Sequence, residues 1–302
     1  MTEAQSALLS QWHKKAQAAP RRIVLADAGD QRADDAAAQL QTDGLADAFV
    51  IGDAAEHLSP AMEAHAATLA KPVDLTDPLD LAVLKVAVGE ADGCVAGASR
   101  PTADVIRAGL RILGTAGATT VSSCFLLVLP DGKPIAYGDC GVLPDPDQHQ
   151  LASIAISTAA TYEQLTGAEP HVAMLSFSTK GSARHERVDK VVAATELARE
   201  LAPDIKLDGE LQFDAAWVES IAASKAPDSA VAGRANVFIF PDLDSGNIAY
   251  KITERIGGAR AFGPLLQGLD GVLHDLSRGC STEDIINVSV IAGLQARGSS
   301  AD

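Results

Sequence analysis

The chain has 302 residues, room for one large α/β domain or two of ordinary size, and 47% of them are hydrophobic against only 4% aromatic. Its core is therefore built mainly from Ala, Val, Leu and Ile, and no apolar run approaches the length of a membrane span. A formal net charge of −16, with no block of Lys or Arg, excludes a nucleic-acid surface, so an anionic ligand must be held by a few local arginines against the overall field.

The first 22 residues lack a continuous apolar segment and predict a surface helix with Leu8, Leu9 and Trp12 inward. A short strand follows at Arg22 to Ala26, an Ala-rich helix runs to about Leu40, and Gly44 breaks it before a buried strand from Ala48 to Gly52. Strand, helix and strand at this spacing predict parallel βαβ units. One helix-like segment lies between Pro72 and Glu90, and Asp92 to Ala98 reads as a strand ending in a small-residue loop. Thr102 is placed to cap the next helix, which carries Arg107 and Arg111.

The pattern changes after Gly117. Phe125 to Leu129, the Asp131-Gly132 turn and Pro134 to Tyr137 predict a β-hairpin opening a second domain from about Thr119. Gln150 to Thr166 predicts a long helix, His171 to Phe177 a strand, Arg187 to Leu201 a helix, and Ile205 to Asp214 a strand and loop. Asn236 to Pro241 predicts another strand with Asp242 to Asn247 as its exit loop, and Tyr250 to Ile256 a helix closed by Gly257-Gly258. The chain then crosses Gly263-Pro264, and fraying is expected in the last residues, through Asp302.

Cys94, Cys124, Cys140 and Cys280 form no CxxC pair, which predicts reduced thiols in a cytoplasmic protein, and the seven His show no metal-ligand spacing to them. No metal site is expected. Asp208, Glu210 and Asp214, and Asp242 with Asp244, lack the spacing of a calcium loop and read as turn and cap residues. The loop Ser178-Thr179-Lys180-Gly181-Ser182 joins a strand to a helix with small hydroxyl-bearing residues and one Lys. It reads equally as an ordinary βα connection and as an anion cradle.

Near the end, Asp275-Leu276-Ser277-Arg278-Gly279-Cys280-Ser281 precedes a helical face of Ile285, Ile286, Val290, Ile291 and Leu294. Ser281 with Asp284 three residues on forms a capping box, and spacing alone favours that structural role. The same stretch puts a hydroxyl (Ser277), a guanidinium (Arg278) and a carboxylate (Asp284) at a helix start, where backbone N–H groups attract anions.

Ala173-Met174-Leu175-Ser176-Phe177-Ser178-Thr179-Lys180-Gly181-Ser182-Ala183, Asp208-Gly209-Glu210-Leu211-Gln212-Phe213-Asp214, Gly233-Arg234-Ala235-Asn236-Val237-Phe238-Ile239-Phe240-Pro241-Asp242 and Asp275-Leu276-Ser277-Arg278-Gly279-Cys280 resemble the phosphate acetyltransferase (phosphotransacetylase) family. The likeness runs from about Ala91 to Ala296. It implies two α/β domains with mostly parallel sheets, of the isocitrate/isopropylmalate dehydrogenase kind, facing each other across a cleft: 1–118 with 265–302, and 119–264. It implies a cytoplasmic homodimer of acetate metabolism, without a permanent cofactor or metal, that moves acetyl groups reversibly between acetyl phosphate and coenzyme A. By the same resemblance Asp284 takes the thiol proton, Ser277 hydrogen-bonds the reacting centre, Arg278 grips the phosphate, and Arg107, Arg255 and Ser178 to Ser182 bind substrate. The chain departs from the family's usual pattern at Ala26-Asp27-Ala28-Gly29, and before Ala91, where Lys85 is the one cation between Lys71 and Glu90. The alternatives are transfer of longer acyl groups, a CoA-binding relative without turnover, and a metal-dependent decarboxylating dehydrogenase.

Overall fold

Strands buried on both faces are the mark of a parallel sheet covered by helices, and the runs Ile23-Val24-Leu25 and Cys94-Val95-Ala96 meet that condition. The computed structural model describes residues 2–52, 54–117 and 120–296. The boundary expected at Thr119 and the fraying expected through Asp302 lie outside the described residues. The chain forms two compact units, Leu8–Thr119 with Phe262–Asp302, and Met1–Ala7 with Thr120–Ala261. The side-chain amide of Gln5, on helix α1 (Glu3–Ala18), donates to the carbonyls of Val128 (3.1 Å) and Gly258 (3.0 Å), which ties the first residues to the second grouping. Leu8, Leu9 and Trp12 on the same helix are buried, as their spacing predicts, and Trp12 meets Phe262 edge-on at 5.1 Å.

The unit containing both early and late segments holds a four-stranded parallel sheet. Its strands are β1 (Arg22–Leu25), β2 (Asp47–Val50), β3 (Gly93–Ala96) and β10 (Leu273–Asp275), in the order β10-β3-β1-β2. Between β1 and β2 runs α2 (Gln31–Thr42), capped by Asp30 and burying Ala33, Ala36, Ala37 and Leu40, a narrow helical stripe of mostly small residues. Helices α3 (Ala54–His57), α4 (Pro60–Thr68), α5 (Pro78–Ala87) and α6 (Thr102–Ile112) occupy the rest of the early segment. Neither α3 nor α4 announces itself in the sequence. In α4 only Met62 is buried, so there is no apolar period to read.

The other unit is built on a sheet with the order β7-β6-β8-β5-β4-β9. β4 (Ser122–Val128) and β5 (Pro134–Gly138) form the expected antiparallel hairpin, with Gly132 at φ 88° in its turn. Then come α7 (Gln148–Thr166), β6 (His171–Leu175), α8 (Glu186–Leu201), β7 (Lys206–Leu211), α9 (Phe213–Trp217), α10 (Glu219–Lys225), β8 (Val237–Ile239) and α11 (Leu243–Arg255). The pairings β6 with β7, β6 with β8 and β5 with β8 are all parallel. β9 (Arg260–Gln267) leads out of this unit, and after β10 the chain ends its described part in α12 (Thr282–Gln295).

Three readings are corrected. Asp242 to Asn247 is not an exit loop: Asp242 is the N-cap of α11, its carboxylate accepting from Ser245 N at 2.9 Å, and Gly246 lies in the first turns. A Cβ on Gly246 would strike the Asp139 carbonyl, so glycine here serves close packing rather than a turn. The crossing at Gly263-Pro264 is the middle of strand β9. Thr102 does not cap α6; Pro101 takes that position, and the Thr102 hydroxyl donates to Asp275 Oδ2 at 2.5 Å.

Candidate active site

The site is built at the carboxyl end of the four-stranded sheet, where β10 gives way to a loop and the loop to α12. Register pairs His274 with Val95 and Asp275 with Ala96, so the β10 exit lies beside the β3 exit. At Gly97, with φ 107°, a Cβ would strike Asp275 Oδ1 and lie 2.7 Å from Leu276 O and 2.9 Å from Leu276 N. Only glycine lets the strand leading to Ser277 pass this close.

Ser277 and Arg278 are exposed, in a turn closed by Cys280 N donating to Ser277 O (2.9 Å) and Gly279 N donating to Ser277 Oγ (3.3 Å). The Arg278 guanidinium has no carboxylate or carbonyl partner among the described residues. Asp284 is half-buried in the capping box that spacing predicts. Its Oδ2 accepts from both Ser281 N and Ser281 Oγ at 2.8 Å, while Asp284 N donates to Ser281 Oγ at 3.2 Å. The box occupies one carboxylate oxygen and leaves Oδ1 to act on something else. Cap and reactive group are thus compatible roles for one side chain.

Beneath this surface lie titratable groups that spacing did not single out. Asp27, buried at the end of β1, accepts from Ala98 N (3.1 Å), Ser99 N (2.8 Å) and Ser99 Oγ (2.6 Å), fixing the β3 exit loop. Burial pushes the Asp275 carboxyl up to about 7, against the pull of the Thr102 hydrogen bond and with a further push from Asp27. Its Oδ1 has no hydrogen-bond partner among the described residues. His274 accepts from Leu266 N at Nδ1 (3.2 Å) and meets Gln295 Oε1 at Nε2 (2.6 Å), a pairing that requires the neutral ring with its proton on Nε2. Burial lowers its pKa to about 4. Cys280 is buried next to the loop, and desolvation raises its thiol to about 11, so it is not a ready nucleophile.

Arg32, two residues beyond Asp27-Ala28-Gly29-Asp30, spans the site's foundations. Its Nε and Nη2 engage the Asp30 carboxylate (3.0 and 2.6 Å), Nη2 also donates to Ala98 O (2.9 Å), and Nη1 donates to Arg278 O (3.1 Å) and Cys280 O (2.7 Å). An Asp-x-Arg pair at a helix start reads from sequence as a cap and its neighbour, which hides this reach across the fold.

The remaining expected residues lie on other elements of the fold. Arg107 stands exposed on α6, paired with Asp104 one turn before it. Lys85 is buried and paired with Glu90 at 3.0 Å, which withdraws it from any ligand. In the six-stranded unit Arg255 is exposed at the end of α11, 3.4 Å from Glu254. The Ser178–Ser182 loop is closed on itself. Glu210 Oε1 accepts from Ser178 Oγ (2.8 Å) and Gly181 N (2.7 Å), Thr179 N donates to Ser182 Oγ (3.0 Å), and Lys180 Nζ is spent on Asp208 (2.6 Å) and the Gly209 carbonyl (2.8 Å). The acidic residues Asp208, Glu210 and Asp214 therefore act as loop anchors, Asp214 pairing with Lys225 at 2.9 Å.

The parallel sheet of this α/β chain thus brings a hydroxyl, a guanidinium and a half-buried carboxylate to one helix start, a set of groups able to hold an anion. The chain belongs to the phosphate acetyl/butaryl transferase family, whose model matches residues 7–74 and 62–293. It is 44% identical to a phosphate acetyltransferase of Acetivibrio thermocellus, over 96% of this chain and 98% of that one. A phosphotransacetylase structure from Streptococcus pyogenes matches with TM-score 0.91 and 39% identity, over 98% of this chain and 99% of the other. A branched-chain phosphotransacylase from Enterococcus faecalis shares the fold, with TM-score 0.70 at 20% identity, over 92% and 100% of the two chains.

Proposed function

We propose that the protein transfers an acetyl group reversibly between acetyl phosphate and coenzyme A, by direct attack of the CoA thiolate, as a cytoplasmic homodimer. The observation that carries this reading is the loop–helix junction of a family member in which Ser277, Arg278 and Asp284 are all present, with Arg278 unpaired. A free thiol titrates near ~8.5, so at neutral pH a positioned base must take its proton. Asp284 Oδ1 is that base. The sulfur attacks the acetyl carbonyl carbon, a C–S bond forms, the bond from that carbon to the oxygen bridging it to phosphorus breaks, and the electron pair leaves on phosphate, neutralised by Arg278. Ser277 Oγ hydrogen-bonds the tetrahedral centre. Coenzyme A is a co-substrate and the scheme needs no resident cofactor.

Arg107 and Arg255, exposed and each paired with one half-buried carboxylate, can exchange those weak pairs for ligand phosphates at small cost. The Ser178–Ser182 loop, its polar groups already bonded within the fold, contributes a rigid wall to substrate rather than free donors. The test is a coupled assay on acetyl, propionyl and butyryl phosphate with the purified chain and two variants. Arg278→Ala should lower kcat by ~10²–10³-fold as a lost oxyanion and phosphate donor. Asp284→Asn keeps an oxygen for the Ser281 cap but cannot accept the proton, so folding should survive while turnover falls. Wild-type rates in both variants refute the assigned roles, and preference for butyryl phosphate would move the assignment to longer acyl groups.

A further inference from the structure

We infer that Arg32 is a positioning residue for acyl transfer: it staples the Ser277–Arg278 loop to the β3 exit loop and so fixes where the catalytic guanidinium and hydroxyl stand. The inference rests on the acetyl-transfer reading above. A planar guanidinium has five N–H donors in a fixed fork. In Arg32 all five have protein acceptors: two go to Asp30, one to Ala98 O, one to Arg278 O and one to Cys280 O.

A fully committed fork has no donor left for a ligand phosphate, which separates Arg32 from Arg278, whose guanidinium is unpaired. Each acceptor also has a purpose in the site. The Arg278 and Cys280 carbonyls lie on either side of Gly279, in a turn that is also closed by local bonds from Cys280 N and Gly279 N to Ser277. Ala98 is the residue whose N–H is held by Asp27, so the loop is referenced through Arg32 to a buried carboxylate at the end of β1. Asp30 fixes the orientation of the fork and, as the N-cap accepting from Arg32 N (3.0 Å), is itself fixed to the start of α2.

Two variants test this. Arg32→Lys keeps the charge but replaces the planar fork with a point ammonium of three donors. Asp30→Asn keeps a capping oxygen for α2 but loses the charged partner that orients the fork. In acetyl-CoA formation, Arg32→Lys should lower kcat by ~10- to 100-fold with both KM values within about twofold, the signature of misplacement rather than lost binding. Asp30→Asn should show a smaller loss of the same kind. Combining Arg32→Lys with Arg278→Ala should cost less than the product of the single losses, because a displaced Arg278 has less to lose.

Hydrogen exchange supplies a readout independent of activity. Amides of 276–281 should exchange at least ~10-fold faster in Arg32→Lys, with those of α7 unchanged. A kcat within twofold of wild type, a KM for either substrate that rises tenfold at constant kcat, or faster exchange spread over the whole chain each overturns the staple. Failure of the wild-type chain to turn over any acyl phosphate overturns the acetyl-transfer reading, and the exchange result then decides alone whether Arg32 holds the loop.

Discussion

His274 and Asp275 are neighbours on β10, both buried, and their protonation is linked to folding with opposite signs. The His274 pKa falls from 6.5 to about 4 on folding. Between those values the unfolded chain binds a proton that the native chain does not, so stability rises with pH by about 1.4 kcal/mol per unit. Over the whole window this amounts to about 3 kcal/mol, lost as pH drops. The Asp275 pKa rises from 3.8 to about 7. Here the native chain holds the extra proton, so stability is fully present below 3.8 and is lost as pH climbs through 7, with the opposite slope of about 1.4 kcal/mol per unit.

In wild type these two slopes cancel between about pH 4 and 6.5. Single substitutions should separate them. Asp275→Asn leaves the histidine uncompensated, and denaturant-derived stability should climb with pH across that window. His274→Gln leaves the carboxyl uncompensated, and stability should decline with pH up to about 7. Urea titrations at five or six pH values, compared as slopes rather than absolute stabilities, provide the measurement. If both variants keep the wild-type slope, the two groups do not titrate as burial dictates and the reasoning is wrong.

Gly97→Ala should cost about 2–4 kcal/mol, from a side chain at positive φ and overlap with Leu276 and Asp275, and should lower kcat because the loop to Ser277 must move; thermal melts and initial rates read both, and a variant unchanged in either shows the close approach to be relaxed. Glu210→Ala removes the buried acceptor of Ser178 Oγ and Gly181 N and should destabilise by about 1–3 kcal/mol, with faster exchange confined to 178–183; a rate loss without any change in exchange would place Glu210 in the chemistry instead. Arg278→Ala should leave the urea midpoint within experimental error of wild type, since the side chain is exposed and unpaired.

Much of the fold is legible because its signals are local. The apolar run at Ile23-Val24-Leu25, the Asp131-Gly132 turn and the Ser281–Asp284 box each carry their structure within a few residues, and each forms as read. The failures share a cause. Asp242-Leu243-Asp244-Ser245-Gly246-Asn247 has the composition of a loop, yet its glycine is there to let α11 approach Asp139. Thr102 has the chemistry of a cap, yet its partner is Asp275, 173 positions away. For the site, resemblance points to Ser277, Arg278 and Asp284 as the proposed reactive groups, but no spacing rule links Arg32 to carbonyls 246 and 248 positions later. Residues that touch substrate cluster in motifs; residues that hold motifs in place need only the fold to bring them near.

The strand order β10-β3-β1-β2 has a consequence for how the protein is made. Three strands of that sheet are synthesised within the first hundred residues, whereas the fourth emerges only after the entire six-stranded unit has left the ribosome. Until then the outer edge of β3 is unpaired and the Gly97 crossing has no strand beside it, so a nascent chain carries a sticky apolar margin through most of translation. Ribosome-stalled chains ending before Leu273 should therefore be the aggregation-prone and chaperone-bound species, because the strand that covers the β3 edge is still missing.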